Sequence, residues 1–222
     1  MLEVTPERWN MRTAMCFEEP EKRDLYHSDF LNVVEGRAAE DFALKIYGDT
    51  DAEDAVDLVL NFDINFYLPY DLLVKTDIAS MAVGLEVRAP MVDQEFVEFV
   101  ARLPARFKTS GLAIKPLLKK ALRDVLPASV IHRRKQGFSV PLDRWFRTEL
   151  KELACDILLS RRCRERQYFK ARSVEDLISN HLSGRRNTDR QLWTLLMLEM
   201  WHKVHVDRPA AEFGGDAAVA AV

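Results

Sequence analysis

Between Lys75 and Asp93 the sequence reads KTDIASMAVGLEVRAPMVD, and four charged residues, Asp77, Glu86, Arg88 and Asp93, stand among Ile78, Met81, Val83, Leu85, Val87 and Val92. Charge in an apolar setting costs free energy unless it is paired or used. The pattern therefore predicts a buried helix running into a buried extended segment whose charges have a partner or a task. Asp77 shares a helical face with Val74, Ile78 and Met81, so it is read either as a cap or arginine partner or as a working carboxylate. Glu86 and Arg88 are two apart in an extended stretch and emerge on the same side. They form either a buried pair that fixes the turn or a carboxylate tuned by a guanidinium, available as a base or as an orienter of an amine or metal.

A second group of charges is cationic. In Ile114-Lys115-Pro116-Leu117-Leu118 the proline suits the first turn of a helix, which leaves Lys115 at the cap. A cation there opposes the helix dipole at a cost of roughly 0.3 to 1 kcal/mol. It makes sense opposite a bound phosphate, and it is otherwise a lysine pointing into water. His132, Arg133, Arg134 and Lys135 precede the Gln136-Gly137 pair, with Phe138, Pro141 and Trp145 as apolar anchors that could hold the loop and aim its cations. Asp71 and Lys75, four apart, read as a local ion pair on a helix surface. His202 and His205 lack a third ligand, and Arg161 to Arg166 read as a solvated basic helix end.

Helical periodicity predominates in the elements that must position these groups. Helices are predicted over Trp9 to Phe17, Asp29 to Tyr47, a third opening at Asp51, a fourth from Pro69 to about Val83, then Gln94 to Arg102, Pro116 to Val125, Leu142 to Leu159, Val174 to Leu182 and Arg190 to Val204. Gly84 to Val92 is predicted extended, because Ala89 precedes a proline. His132 to Pro141 is predicted to be an ordered, non-helical loop, and the Ala/Gly-rich residues 207–222 a flexible tail. The fold expected for the chain as it stands is all-α.

The 222 residues, 48% of them hydrophobic, suffice for a sizeable core, and the net charge of −3 gives no overall basic signature for nucleic acid. No apolar run approaches roughly eighteen residues, and no basic-then-apolar leader is visible, so a soluble cytoplasmic protein without a membrane partner is expected. Cys16, Cys155 and Cys163 have no C-x-x-C spacing and read as bystander thiols. Neither G-x-G-x-x-G nor G-x-x-x-x-G-K-[ST] occurs, so any nucleotide site would be incomplete in these residues.

Tyr67-Leu68-Pro69, Asp71-Leu72-Leu73-Val74-Lys75-Thr76-Asp77, Met81-Ala82, Gly84-Leu85-Glu86-Val87-Arg88, Pro90 and Asp93 together resemble the synthetase domain of glutamine-dependent asparagine synthetases. Leu103-Pro104, Lys108, Lys115, Leu126-Pro127, Arg134-Lys135-Gln136-Gly137-Phe138 and Pro141-Leu142 with Trp145 continue the pattern in the same order. The close part of the resemblance covers about 63–159, within a portion expected to span 1–206. It implies the C-terminal, helical half of an α/β synthetase domain of the adenine-nucleotide alpha-hydrolase-like (ATP pyrophosphatase) kind. The family's glutaminase domain, its Ser-Gly-Gly-x-Asp-Ser pyrophosphate loop and its later acid-rich loop are not found in these residues and are expected elsewhere or lost.

The same resemblance implies a reaction. ATP and aspartate give a β-aspartyl-adenylate and pyrophosphate, and ammonia from glutamine then displaces AMP. Charge gathers on phosphate oxygens, which calls for cations and Mg²⁺. Lys135 and Lys115 match phosphate-facing lysines, Asp77 an acidic position implicated in metal binding, and Glu86 the glutamate of a catalytic dyad in a related β-lactam synthetase, with Arg88 beside it at the substrate. Two other readings stay open: a non-catalytic helical module, and an amidotransferase or β-lactam-synthetase-like relative acting on another carboxylate.

Overall fold

The turn and cap residues decide where the helices break. A computed structural model describes residues 5, 10–11, 15–34, 39–109, 111, 113, 115–134, 137 and 140–207. The chain divides into two compact units, one built from 1–14 and 37–138 and the other from 15–36 and 139–222. Among the described residues there is helix and no named strand, as the periodicity predicts.

In the second unit the helices are α1 (Glu19–Leu25), α2 (Ser28–Val34), α10 (Leu142–Arg147), α11 (Lys151–Leu158), α12 (Arg161–Glu165), α13 (Ala171–Leu182) and α14 (Asp189–His205). Their apolar residues follow the helical period: Val174 and Ile178 on α13, Leu192, Leu195 and Leu196 on α14. These close over Leu25, Phe146, Ala154 and Leu158 to form one core. Burying Phe146 alone stabilises by about 1.5–3 kcal/mol. The single helix predicted from Leu142 to Leu159 is broken at Thr148, whose φ of −126° and ψ of −95° end α10. His181, fully buried, ties the break to the core. Its Nε2 donates to the carbonyl of Asp143 at 3.0 Å and its Nδ1 accepts from the Thr188 amide at 3.2 Å. The link between α1 and α2 pairs with 168–170 through Lys170 N to Leu25 O (2.8 Å) and His27 N to Tyr168 O (2.9 Å).

Arg166 is not on a solvated basic end, as the sequence suggests, but largely covered, its side chain 11% exposed. Its Nε donates to both oxygens of Glu199 at 2.9 Å, and its Nη1 and Nη2 reach Asp207 at 3.2 and 2.6 Å. Arg162 adds a contact to Asp207 at 3.1 Å. The hydrogen bond from Arg166 holds the Asp207 carboxyl below the usual range. Burial first, and Glu199 second, push the neighbouring Cys163 thiol up to about 12, consistent with an inert cysteine.

The first unit contains α3 (Ala39–Gly48), α4 (Ala55–Phe62), a π-helix (Asp63–Leu73), α5 (Val74–Met81), a 3₁₀ turn (Pro90–Val92), α6 (Gln94–Ala101), α7 (Ala105–Lys108), α8 (Pro116–Ala121) and α9 (Ala128–Ile131). Helix α4 opens at Asp54, whose Oδ1 accepts from Val56 N at 2.7 Å, rather than at Asp51. The helix predicted from Asp29 to Tyr47 is represented by α2 and α3, which belong to different units. Of the helix predicted over Trp9 to Phe17, residues 9 and 12–14 lie outside the described residues, 10 and 11 are helical, and 15–17 are not. Tyr47 stacks on Phe62 at 4.8 Å, and Phe62 meets Phe66 at 5.0 Å. Lys108 Nζ joins α7 to α4 through Asp57 at 2.7 Å.

The π-helix corrects the expectation that Pro69 begins an α-helix. Pro69 lies inside it, and its carbonyl accepts from Val74 N five residues on. A proline ring in an α-helix clashes with the carbonyl four residues back, and a wider turn relieves that contact. Asn65 Nδ2 bonds to Asn61 O at 2.9 Å and Thr76 Oγ to Leu72 O at 2.8 Å, satisfying carbonyls on either side.

Removing Arg166 leaves Glu199 as an unpaired buried carboxylate, so Arg166→Ala is expected to destabilise the second unit by about 3–5 kcal/mol in urea unfolding.

Candidate functional site

Helix α5 ends in a turn that fixes the charged stretch after it. Leu85 N bonds to Ser80 O and Gly84 N to Met81 O, both at 3.0 Å, the paired closure that needs a left-handed residue. Gly84 supplies it with φ +69°. Residues 85–89 follow as an irregular stretch ending at Ala89, which is extended with φ −101° and ψ 105°. The extended segment predicted from Gly84 to Val92 does not hold at its ends, because Gly84 is left-handed and Pro90–Val92 form a 3₁₀ turn. Asp93 then caps α6 by accepting from Phe96 N at 3.1 Å. Asp93 thus has a local structural role.

Glu86 and Arg88 do emerge together. Arg88 Nε and Nη2 both lie 2.8 Å from Glu86 Oε1. The pair is not buried, however: the side chains are 70% and 87% exposed. The same correction applies to their surroundings. Ile78 is 66% exposed, Val83 80% and Leu85 58%, and Asp77 is exposed beside them on α5. The physical reason is that among the described residues little packs over the face shared by Val74, Ile78 and Met81, all three of which are exposed. Lys75 and Asp71 form the expected surface pair at 4.0 Å.

Lys115 stands at the cap of α8 with Pro116 at the first helical position, as the sequence predicts, although α8 stops at Ala121 rather than Val125. Its backbone is left-handed, φ 56° and ψ 50°. A non-glycine residue there costs about 1–2 kcal/mol. Among the described residues no hydrogen bond or ion pair joins Asp77 or Lys115 to the Glu86–Arg88 pair. Lys135, with Gln136 and Phe138, lies outside the described residues. Among those described, no cluster of three His, Cys, Asp or Glu could hold a metal ion; His202 instead packs against the rings of Tyr168 and Trp201. Sequence reasoning missed the π-helix and the left-handed Lys115. Pro69 in an otherwise helical run was the available signal for the first.

Comparison with known proteins decides what this display of charges belongs to. The family model described as asparagine synthase matches residues 5–203. The chain belongs to the asparagine synthase family. It is 26% identical over 195 residues to asparagine synthetase [glutamine-hydrolyzing] 1 of Bacillus subtilis (strain 168), covering 88% of this chain and 30% of that protein. It is 34% identical over 168 residues to a putative asparagine synthetase [glutamine-hydrolyzing] of Mycobacterium tuberculosis (strain ATCC 25618 / H37Rv), covering 75% and 26%. A probable asparagine synthetase of Acanthamoeba polyphaga mimivirus is 23% identical over 132 residues. The chain therefore spans less than a third of the length of these curated relatives. No solved structure matches. Among the described residues no helix is long and apolar enough to cross a membrane. The asparagine synthase match and the helical architecture agree with the helical half of a synthetase domain.

Two substitutions test the backbone that holds the charges. Gly84 has open space around its Cα, so Gly84→Ala adds no clash and is expected to cost about 1 kcal/mol from its positive φ alone. Lys115→Gly is expected to stabilise by about 0.5 kcal/mol, the relief of strain exceeding the added freedom of the unfolded chain. Both are read from urea midpoints.

Proposed function

We propose that this chain forms one wall of an ATP-dependent, amide-forming ligase site that converts aspartate to asparagine. The observation that supports it is the asparagine synthase match across 5–203, which includes the charged stretch held in the open by the Gly84 turn. In this reading Lys115 and Lys135 are cations for the phosphates, Arg88 a substrate-binding residue, Glu86 a catalytic or orienting carboxylate, and Asp77 a ligand for Mg²⁺. A single exposed carboxylate suits Mg²⁺, which commonly takes one or two protein carboxylates and fills its shell with water and phosphate oxygens. When bound, the ion would neutralise charge on the phosphates.

The chemistry is nucleophilic substitution at phosphorus. The aspartate side-chain carboxylate attacks the α-phosphorus, its oxygen bonds to phosphorus, and pyrophosphate leaves. Ammonia derived from glutamine then attacks the acyl carbon and AMP leaves. Lys115 and Lys135 would balance the charge that gathers on phosphate oxygens, while Arg88 would hold a carboxylate. The strained backbone of Lys115 favours this reading, because strain of that kind commonly persists where a side chain must be aimed. The remaining partners are a glutaminase segment and a pyrophosphate-loop segment, in a cytoplasmic enzyme.

The 222 residues hold no phosphate loop, so on their own they are expected neither to bind ATP tightly nor to make asparagine. Calorimetry showing micromolar ATP binding by this chain alone would refute that. In the complete enzyme, Lys135→Ala is expected to lower pyrophosphate release by about a hundredfold or more while glutamine hydrolysis continues. Unchanged pyrophosphate release would remove Lys135 from the site.

A further inference from the structure

Helix α14 is apolar on both sides, although among the described residues only one side meets a core. Leu192, Leu195 and Leu196 are buried inwards, while Trp193, Met197, Trp201 and Val204 stand on the other side, 39%, 46%, 52% and 39% exposed. A helix that is hydrophobic all round is ordinarily covered all round. Tryptophan and methionine are also among the residues that protein interfaces gather.

The order of the exposed residues indicates what covers them. Asp189, Trp193, Met197, Trp201 and His205 are spaced four apart and form one ridge along α14, in which the rings of Trp201 and His205 lie 5.5 Å apart. The ridge reads alike in both directions from Met197. A tryptophan stands four residues away on each side, and eight residues away stand a carboxylate at one end and an imidazole at the other. Such a row is complementary to itself under a two-fold axis, the symmetry of the commonest homodimers. We propose that the outer face of α14 is the contact between two copies of this chain, with the two-fold axis at Met197. Ridges of this kind interdigitate when two helices cross at about 50°, the commonest packing of helix on helix. Met197 then meets its own counterpart, Trp193 of each copy meets Trp201 of the other, and Asp189 is turned towards His205 across the rim. The ends of the row therefore bring unlike groups together, whereas a parallel pairing would set Asp189 against Asp189. Arg190 and Lys203, both exposed, lie off the ridge, and the crossing carries the helix ends apart, so these cations stay in water. None of these residues belongs to the site proposed above, so the dimer stands or falls independently of the ligase reading.

A contact of one ridge per copy falls below the roughly 1,200 Å² of standard interfaces, so the dimer is expected to be weak, with a Kd of about 10–100 μM. Sedimentation of the 222-residue chain between about 1 and 500 μM tests this, and the mass is expected to rise from monomer to dimer. Met197→Glu and Met197→Lys each place like charges on the axis and are expected to weaken association at least about tenfold. An equimolar mixture of the two is expected to restore it, because at a two-fold axis residue 197 meets only itself, now as a carboxylate against an ammonium. Hydroxyl-radical oxidation of Trp193, Met197 and Trp201 in the unaltered chain is expected to fall at least about threefold as the dimer forms. A chain that stays monomeric throughout the range would overturn the proposal, as would a dimer in which these three side chains oxidise as fast as in the monomer. Both results need no variant. Dimerisation unchanged by either substitution would place the contact elsewhere, and assembly beyond the dimer would exclude a two-fold contact, which closes on itself.

Discussion

Apolar surface that leaves water stabilises a fold, and apolar surface that stays in water calls for a partner. The two units meet this constraint differently. The second closes its helices over one core from Leu25 to Leu196, and the buried carboxylate of Glu199 is matched within it by Arg166, which also holds Asp207. The first buries Met11, Ala43, Tyr47, Phe62 and Ile131 among its described residues and leaves the apolar side of α5 in solvent. Its ties are aromatic stacking along α3, α4 and the π-helix, plus the Lys108–Asp57 pair. Everything proposed about function sits on that half-covered unit.

What makes the exposed face usable is the stiffness of its frame. The π-helix around Pro69 runs directly into α5, Gly84 ends α5 with two backbone hydrogen bonds, and Asp93 caps the next helix. Glu86 and Arg88 thus stand on a short irregular bridge anchored at both ends. A bridge of five residues between fixed ends has few conformations to lose when something binds it, so less of the binding energy is consumed in ordering.

The helical character of the chain was legible because periodicity depends only on local spacing, and α6, α13 and α14 lie close to where the sequence places them. The extended backbone of Ala89 was legible through Pro90, though not the 3₁₀ turn that follows it, and the cap position of Lys115 through Pro116. Burial was not. Alternating charge and apolar residues look the same whether a neighbour covers them or is still to come, and sequence spacing cannot tell these apart. Nor did it show that Pro69 lies inside a π-helix rather than starting an α-helix, since the apolar spacing around it fits either. Arg166 was misread for a similar reason: its partners, Glu199 and Asp207, lie 33 and 41 residues away.

The geometry of the Glu86–Arg88 pair bears on what could bind there. In water an exposed ion pair contributes about 0–1 kcal/mol, and once covered each ion loses several kcal/mol of hydration that only further hydrogen bonds can offset. Both arginine nitrogens in the pair converge on Oε1, so among the described residues Glu86 Oε2 keeps its lone pairs and Arg88 Nη1 its donors. Covering the pair without penalty therefore requires a donor for Oε2 and an acceptor for Nη1, side by side. An apolar partner alone would leave the pair desolvated and unmatched.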